Sequence, residues 1–397
     1  MSARFFSISV FSRIQQPVKW GRHYWWLSAL IWLMVVAPAQ AALEMRVAIE
    51  EEVSKVKVGS STNAIVRNGA GQVLGELAGM NGFSAELRGK FVAINRWQAG
   101  QIWIEPTGDG YIYINDRWYR GRTLLVPTGK GITAVNYVDL EKYLYSVLGA
   151  EMDGGWPLEA LKAQAVAARS YALHERGAGT NGLYDVGDNQ GWQVYKGVET
   201  ESPGTYAAVD TTAGQVLTHN GEIILAAFHS SSGGHTENVE DVWEQPLPYL
   251  RGVPDDDRGT PGYEWTKTFS RAELSRLISG VGNVVSMTPE RTTPTGRIIT
   301  MKVVGDAGTR SMSGDALRDT LGLRSSRFKV NPQAGQQPSK GNSKPSPTAF
   351  VIQGYGFGHG IGLSQWGAYN MARRGVPYQS ILAHYYQGAT LATIQVE

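Results

Sequence analysis

From Leu43 to about Pro127 apolar and polar residues alternate in short runs (MRVAIEEEV, VAINRW, QIWIEP, YIYINDRWY), separated by NGAG, GMNG and TGDG. A period of two punctuated by glycine-rich turns predicts strands and hairpins. A further β-rich stretch, Arg122 to Tyr137, leads into a change of period: Leu140, Tyr143, Leu144, Val147 and Leu148 recur at helical spacing behind Asp139 and Glu141. The acidic residues suit the positive end of a helix, and the apolar set makes a buried stripe. A second helix is predicted from Pro157 to about Arg176 (PLEALKAQAVAARSYALHER), with Pro at the first position and an Ala-rich middle that allows a close neighbour. The two should pack as a hairpin. After Gly177, GQVLTHNGEIILAAFHSSSGG reads as strand, tight turn and strand delivering a Ser/Gly/His loop. Residues 331–348 (NPQAGQQPSKGNSKPSPT) lack large apolar groups and read as a flexible surface loop, and YQSILAHYY near the end reads as a short amphipathic helix. The expected class is α+β: a small β-rich module over 42–117, then a domain over 118–397 with a helical hairpin set among antiparallel strands.

The first 41 residues stand apart. They hold Arg4, Arg13, Lys19 and Arg22, no acidic residue, an apolar run from Tyr24 to Val36, and Ala39-Gln40-Ala41 after Pro38. This is the layout of a secretory signal cut after Ala41, so an exported protein is expected, in the periplasm or cell wall. An uncleaved membrane anchor is the alternative, although the run is shorter than the roughly 18 residues a span needs. The chain carries 37 basic and 35 acidic residues, so without the four leader cations the remainder is slightly acidic. No basic footprint argues for nucleic acid. With no cysteine among 397 residues, disulfides, thiolate metal sites and thiol nucleophiles are excluded. The 12 Trp, 18 Tyr and 48 Gly suit aromatic-lined sugar sites and β-rich proteins equally.

Glu151 follows Val147 by four positions and so falls on the apolar stripe of the first helix. Burial there would raise its pKa toward what a general acid needs; the structural alternative is a helix-end glutamate turned to solvent or paired with Lys162. His229 to Asp241 (HSSSGGHTENVED) gathers two His and three carboxylates, and the pattern suits a substrate loop better than a zinc site. Gly354 to Ala368 alternates glycine with Tyr355, Phe357 and His359 and matches no phosphate-loop pattern; a loop presenting His and Trp at a cleft is expected. Neither G-x-S-x-G nor H-E-x-x-H occurs. A two-carboxylate glycosidase would draw its second group from Asp153, Asp185, Asp188, Glu237 or Asp241.

The run NYVDLEKYLYSVLGAEMDGGWPLEALKAQAVAARSYAL (Asn136 to Leu173), followed by QVYKG, AAVDTTAGQVL, FHSSSGGHTENVEDVW, PYL and GYGFGHGIGLSQWGAYNMA, resembles the stage II sporulation protein D family, also called SpoIID/LytB. The likeness spans about residues 118–393. It implies a peptidoglycan lytic transglycosylase in which Glu151 is the catalytic residue, cutting between N-acetylmuramic acid and N-acetylglucosamine to leave 1,6-anhydro ends. One carboxyl then serves as acid and base. Peptidoglycan glycan strands are the implied partner, peptide-poor ones in the sporulation members. Gln164, Arg169, Gln193, Tyr195, Ser232, His235, His359 and Gln365 would line one saccharide groove around Glu151. Some members hold zinc through Cys and His near the Ser/Gly loop; this chain has no Cys, which argues against a cofactor. Other members are amidase enhancers, so the alternative is a non-catalytic wall-binding protein acting on a cell-wall amidase.

Overall fold

The computed structural model describes residues 43–179, 182–243, 245–334 and 346–394. The expected leader and the middle of the expected loop at 331–348 lie outside the described residues.

The alternating N-terminal segments form two antiparallel-rich sheets. The first has seven strands in the order Val186–Gly187, Glu44–Val53, Ile132–Asp139, Arg122–Pro127, Ile102–Pro106, Ala64–Asn68 and Val73–Leu77. The second has six, in the order Arg117–Tyr119, Ile112–Ile114, Lys55–Ser60, Gly82–Arg88, Phe91–Ile94 and Trp97–Ala99. Asn95, Asn115 and Asn220 hold left-handed backbone at three hairpin turns, a conformation asparagine tolerates better than other residues with a side chain.

The boundary expected at 117/118 does not divide two domains. Glu44–Val53 pairs antiparallel with Ile132–Asp139, Met45 opposite Val138, and Val47 and Ile104 share one buried core with Leu144 and Val147. Alternation reveals that a strand has one buried face; it does not say which element covers that face.

Among the described residues the helices are α1 (Leu140–Glu151), α2 (Leu158–Ala178), α3 (Pro203–Thr211), α4 (Val239–Val242), α5 (Arg271–Leu277), α6 (Gly314–Leu321), α7 (Gln365–Arg373) and α8 (Tyr378–Tyr385). The carboxylate of Asp139 caps α1 by accepting the Lys142 N–H at 3.0 Å. Helix α2 buries Ala160, Ala163, Ala165, Ala167 and Ala168. The short side chains let α1, α3, α7 and α8 all pack against it. None of the described helices is long and apolar enough to cross a membrane.

A second core was not anticipated. Strands Glu264–Ser270, Pro347–Tyr355 and Phe328–Ala334 form one sheet, and Val284–Thr292, Ile298–Gly305 and Thr309–Ser313 another. With α5 and α6 they enclose Phe269, Leu274, Met301, Leu317, Phe350 and Ile352. Both flanks of the expected loop belong to this lobe, with Asn331 opposite Val351 and Gln333 opposite Ala349. Phe328–Ala334 is an edge strand, where Pro332 and polar residues are tolerated because one side makes no ladder hydrogen bonds. The lobe is fastened to the core by the fully buried Glu237–Arg297 ion pair at 3.2 Å and by Arg327, which donates to the carbonyls of Ser232 and Gly233.

Candidate active site

Glu151 is the last residue of α1 and sits half-buried in the wall of a cleft of about 460 Å³. The cleft is lined from the core by Tyr171, Trp192, Val194, Phe228 and His229, and from the lobe side by Arg318 and Phe357. Among the described residues lining it, Glu151 is the one carboxylate.

Two neutral donors hold that carboxylate. The Val194 N–H reaches Oε1 at 3.3 Å, and the Gln365 amide donates to Oε2 at 3.1 Å. Desolvation pushes the Glu151 carboxyl above the ordinary glutamate value, and the Gln365 and Val194 hydrogen bonds and the charge of Lys196 pull against it. The helix C-terminus adds an environment that disfavours negative charge. Lys162 is not its partner, being paired with Glu159 at 2.8 Å.

The cleft also holds two histidines with rings 5.3 Å apart. His359 donates through Nε2 to the Phe228 carbonyl at 2.8 Å and accepts the Ile361 N–H on Nδ1 at 3.0 Å. Burial, with nearby Arg297, takes its pKa down to about 3, so the ring is neutral. His229 is pushed well below its ordinary value chiefly by burial; its Nδ1 is bonded to the Ile361 carbonyl at 3.0 Å and its Nε2 has no partner among the described residues. The loop can run this close because of its glycines. A Cβ at Gly358, whose φ is +108°, would lie 2.8 Å from the His229 Cβ.

The other expected groove residues lie elsewhere. Arg169 is wholly buried, donates to both oxygens of Glu141 at 2.9 and 2.5 Å and reaches the Gln215 carbonyl at 3.0 Å. Tyr195 is buried with its hydroxyl on Asn136 at 2.9 Å, and Gln193 joins Tyr143 to the Ala168 carbonyl beneath the cleft wall. These two flank Val194 and fix the main chain that meets Glu151. Gln164 is buried in the Ala-rich face of α2, its amide without a partner among the described residues. Ser232 donates to Asp255 at 2.7 Å, and His235 Nδ1 lies 2.6 Å from the Thr236 carbonyl. Trp366 stacks on Trp156 at 4.4 Å rather than lining the cleft. Thus His359 and Gln365 join Glu151, and the remaining six do not.

The residues do not fit a zinc ion. His359 has both ring nitrogens engaged, His229 and His235 each keep one ring nitrogen without a hydrogen bond among the described residues, and no thiolate is available. A tetrahedral site needs four donors. Among the described residues no group of three or more His, Cys, Asp or Glu is placed to hold a metal.

Sequence reasoning missed the Val194 N–H, Trp192, Tyr171 and Arg318. The first is a backbone group and the last comes from an unforeseen lobe; Tyr171, inside the Asn136 to Leu173 run, and Trp192, beside QVYKG, carried the available signal.

Residues 128–219, which contain α1, α2 and Val194, match the family described as Stage II sporulation protein. Residues 255–362, which contain the lobe, match a domain of unknown function. Stage II sporulation protein D of Bacillus subtilis is 32% identical over 284 residues, covering 65% of this chain and 76% of that protein. An uncharacterized protein of Brachyspira hyodysenteriae is 34% identical, covering 65% and 67%. The amidase enhancer of Bacillus subtilis is 32% identical, covering 63% of this chain and 40% of that protein. By the extent of these likenesses, the chain belongs to the stage II sporulation protein D family.

Proposed function

We propose that the protein is an exported peptidoglycan lytic transglycosylase with Glu151 as its single acid and base. The observation that carries this reading is a lone carboxyl, raised in pKa, held in an open cleft by two neutral donors. In the protonated form it can give its proton to the bridging oxygen as the bond from the muramyl C1 breaks. The resulting carboxylate can take the proton of the muramyl 6-hydroxyl as that oxygen closes on C1. The carboxyl ends as it began, water is not consumed, and a 1,6-anhydro end results. This cycle asks for one group alternating between two states, which a charge partner would hinder. Gln365 and the Val194 N–H keep the carboxyl oriented in both. Neutral His359 fixes the cleft wall through Phe228 and Ile361 and takes no part in proton transfer near pH 7.

The test is digestion of amidase-stripped glycan strands with the purified protein, with products read by mass spectrometry. Products bearing 1,6-anhydro muramyl ends are expected. Reducing ends alone would sink the mechanism. Intact strands together with stimulation of a separate amidase that survives Glu151→Gln would establish the enhancer role instead.

A further inference from the structure

Glu151 and the Gln365 amide that holds it come from segments 214 residues apart in the chain, and three aromatic rings join those segments outside the cleft. Helix α7 buries Gly367 and Ala368 and turns Trp366, Tyr369 and Arg373 to the opposite side at helical spacing. Trp156, from the connection between α1 and α2, meets both rings of that stripe. Its centroid lies 4.4 Å from that of Trp366 and 4.8 Å from that of Tyr369, and the last two are 5.2 Å apart. Trp366 and Tyr369 belong to neither hydrophobic core, and none of the three rings lines the cleft. Their packing therefore serves the junction between the two segments.

Each end of this junction is tied to one partner of the Glu151–Gln365 hydrogen bond. Trp156 follows Glu151 through a tight turn, in which the Met152 N–H donates to the Leu148 carbonyl at 2.9 Å, the Gly155 N–H to the Asp153 carboxylate at 2.8 Å and the Trp156 N–H to the Asp153 carbonyl at 3.0 Å. Trp366 directly follows Gln365. Its N–H donates to the Ser230 carbonyl at 3.0 Å, and Ser364 caps α7 by accepting the Gly367 N–H at 3.2 Å. With both backbones fixed in this way, moving the rings apart moves the glutamate and the amide apart. We infer that Trp156, Trp366 and Tyr369 are positioning residues, an aromatic bridge that sets the contact between Gln365 and Glu151 from outside the cleft. The inference rests on the reading of Glu151 as acid and base. Tilted and edge-to-face ring contacts are directional, which suits a part that fixes a distance. The distance is a sensitive one: the amide reaches Oε2 at 3.1 Å, toward the long end of ordinary N–H···O bonds, so a small retreat of α7 breaks the bond.

The test compares Tyr369→Ala, Tyr369→Phe and Gln365→Ala in the full chain by two readouts. One is the kinetics of strand cleavage. The other is the titration of the Glu151 carboxyl, followed by NMR of glutamate-labelled protein with Glu151→Gln identifying the signal. Tyr369→Ala should lower kcat by about tenfold with KM unchanged. It should also move the Glu151 titration to higher pH, in the direction of Gln365→Ala, because the amide favours the charged form. Tyr369→Phe keeps the ring and should behave as the unmutated protein. Combining Tyr369→Ala with Gln365→Ala should be no slower than Gln365→Ala alone, since both act on one hydrogen bond. Should Tyr369→Ala not fold, Tyr369→Leu, which keeps apolar bulk but no ring, should give the same two shifts. A lowered Tm with kcat and titration unchanged, losses that multiply in the double variant, or a loss confined to KM would overturn the bridge; the last would make the rings a binding surface. The two readings fail separately: a shifted Glu151 titration in a protein that cuts no strands keeps the bridge and removes the catalytic reading, and Glu151-dependent cleavage with an unshifted titration does the reverse.

Discussion

Helix α1 carries a glutamate near each end, and the fold treats the two in opposite ways. Glu141, in the first turn, occupies the end where the helix dipole favours a negative charge. It meets the wholly buried Arg169 with both oxygens and also accepts the Gly214 N–H at 3.1 Å. Glu151 ends the helix, where the dipole disfavours charge, and meets only an amide and a backbone N–H while facing an open cleft. Both side chains are partly shielded, so burial alone does not separate them. The charge of the partner does. An ion pair locks one glutamate into the architecture, and neutral donors leave the other able to change protonation state where a substrate can reach it.

The largest expected effect tests the cleft end. Glu151→Gln keeps the shape and should lower the rate of strand cleavage by at least about 10²- to 10⁴-fold, the contribution of a positioned acid and base, with circular dichroism unchanged. An equal loss per folded molecule in Glu141→Gln would erase the contrast between the two ends. Next comes the half-buried pair. Arg169→Met strips Glu141 of its cation and should cost about 1–3 kcal/mol in urea unfolding, the cost of leaving a partly buried polar group without its partner, while the molecules that remain folded cleave at the unmutated rate. A cleavage defect without a stability defect would return Arg169 to the groove that its motif suggested.

How far the sequence reveals these roles depends on what each residue does with its polar group. Glu151 was legible because a carboxylate on an apolar stripe is anomalous, and Gln365 because it sits in a distinctive glycine-rich run. Arg169, Gln193 and Tyr195 share equally distinctive runs yet point inward. Their partners are the Glu141 carboxylate, the Ala168 carbonyl and Asn136, so their polarity satisfies the interior rather than a ligand. A motif marks a position that matters without telling which side of the wall its side chain occupies. The N-terminal strands were legible as strands, but their merger with the helical core depends on the pairing of Glu44–Val53 with Ile132–Asp139, a long-range choice that local alternation does not encode. The lobe was hidden for the same reason: its sheet closes between Glu264–Ser270 and Pro347–Tyr355, segments far apart in the chain.

A smaller effect sharpens how the cleft end is tuned. The Gln365 amide favours the charged form of Glu151, so Gln365→Ala should raise the carboxyl pKa further. Because the proposed reaction starts from the protonated acid, the fall in kcat/KM on the alkaline side should move to higher pH, by about one unit or less. A shift to lower pH would mean that the amide's main service is to a different state of the site.

The smallest effect is read in stability and concerns the same carboxyl. Its pKa is higher in the folded protein than in the unfolded chain, so the stability it contributes is fully present below the unfolded value, about 4.3, and is lost as pH rises through the folded value. Glutamine cannot ionise and escapes that loss. Relative to the unmutated protein, Glu151→Gln should therefore gain stability between low pH and pH 7.5, by about 1 to 3 °C in Tm. Glu141→Gln should lose stability, because its ion pair with Arg169 is missed. Melting curves of both variants at the two pH values decide the matter. A pH-independent difference for Glu151→Gln would mean that its carboxyl behaves as an ordinary surface acid, and the two ends of α1 would then differ only in location.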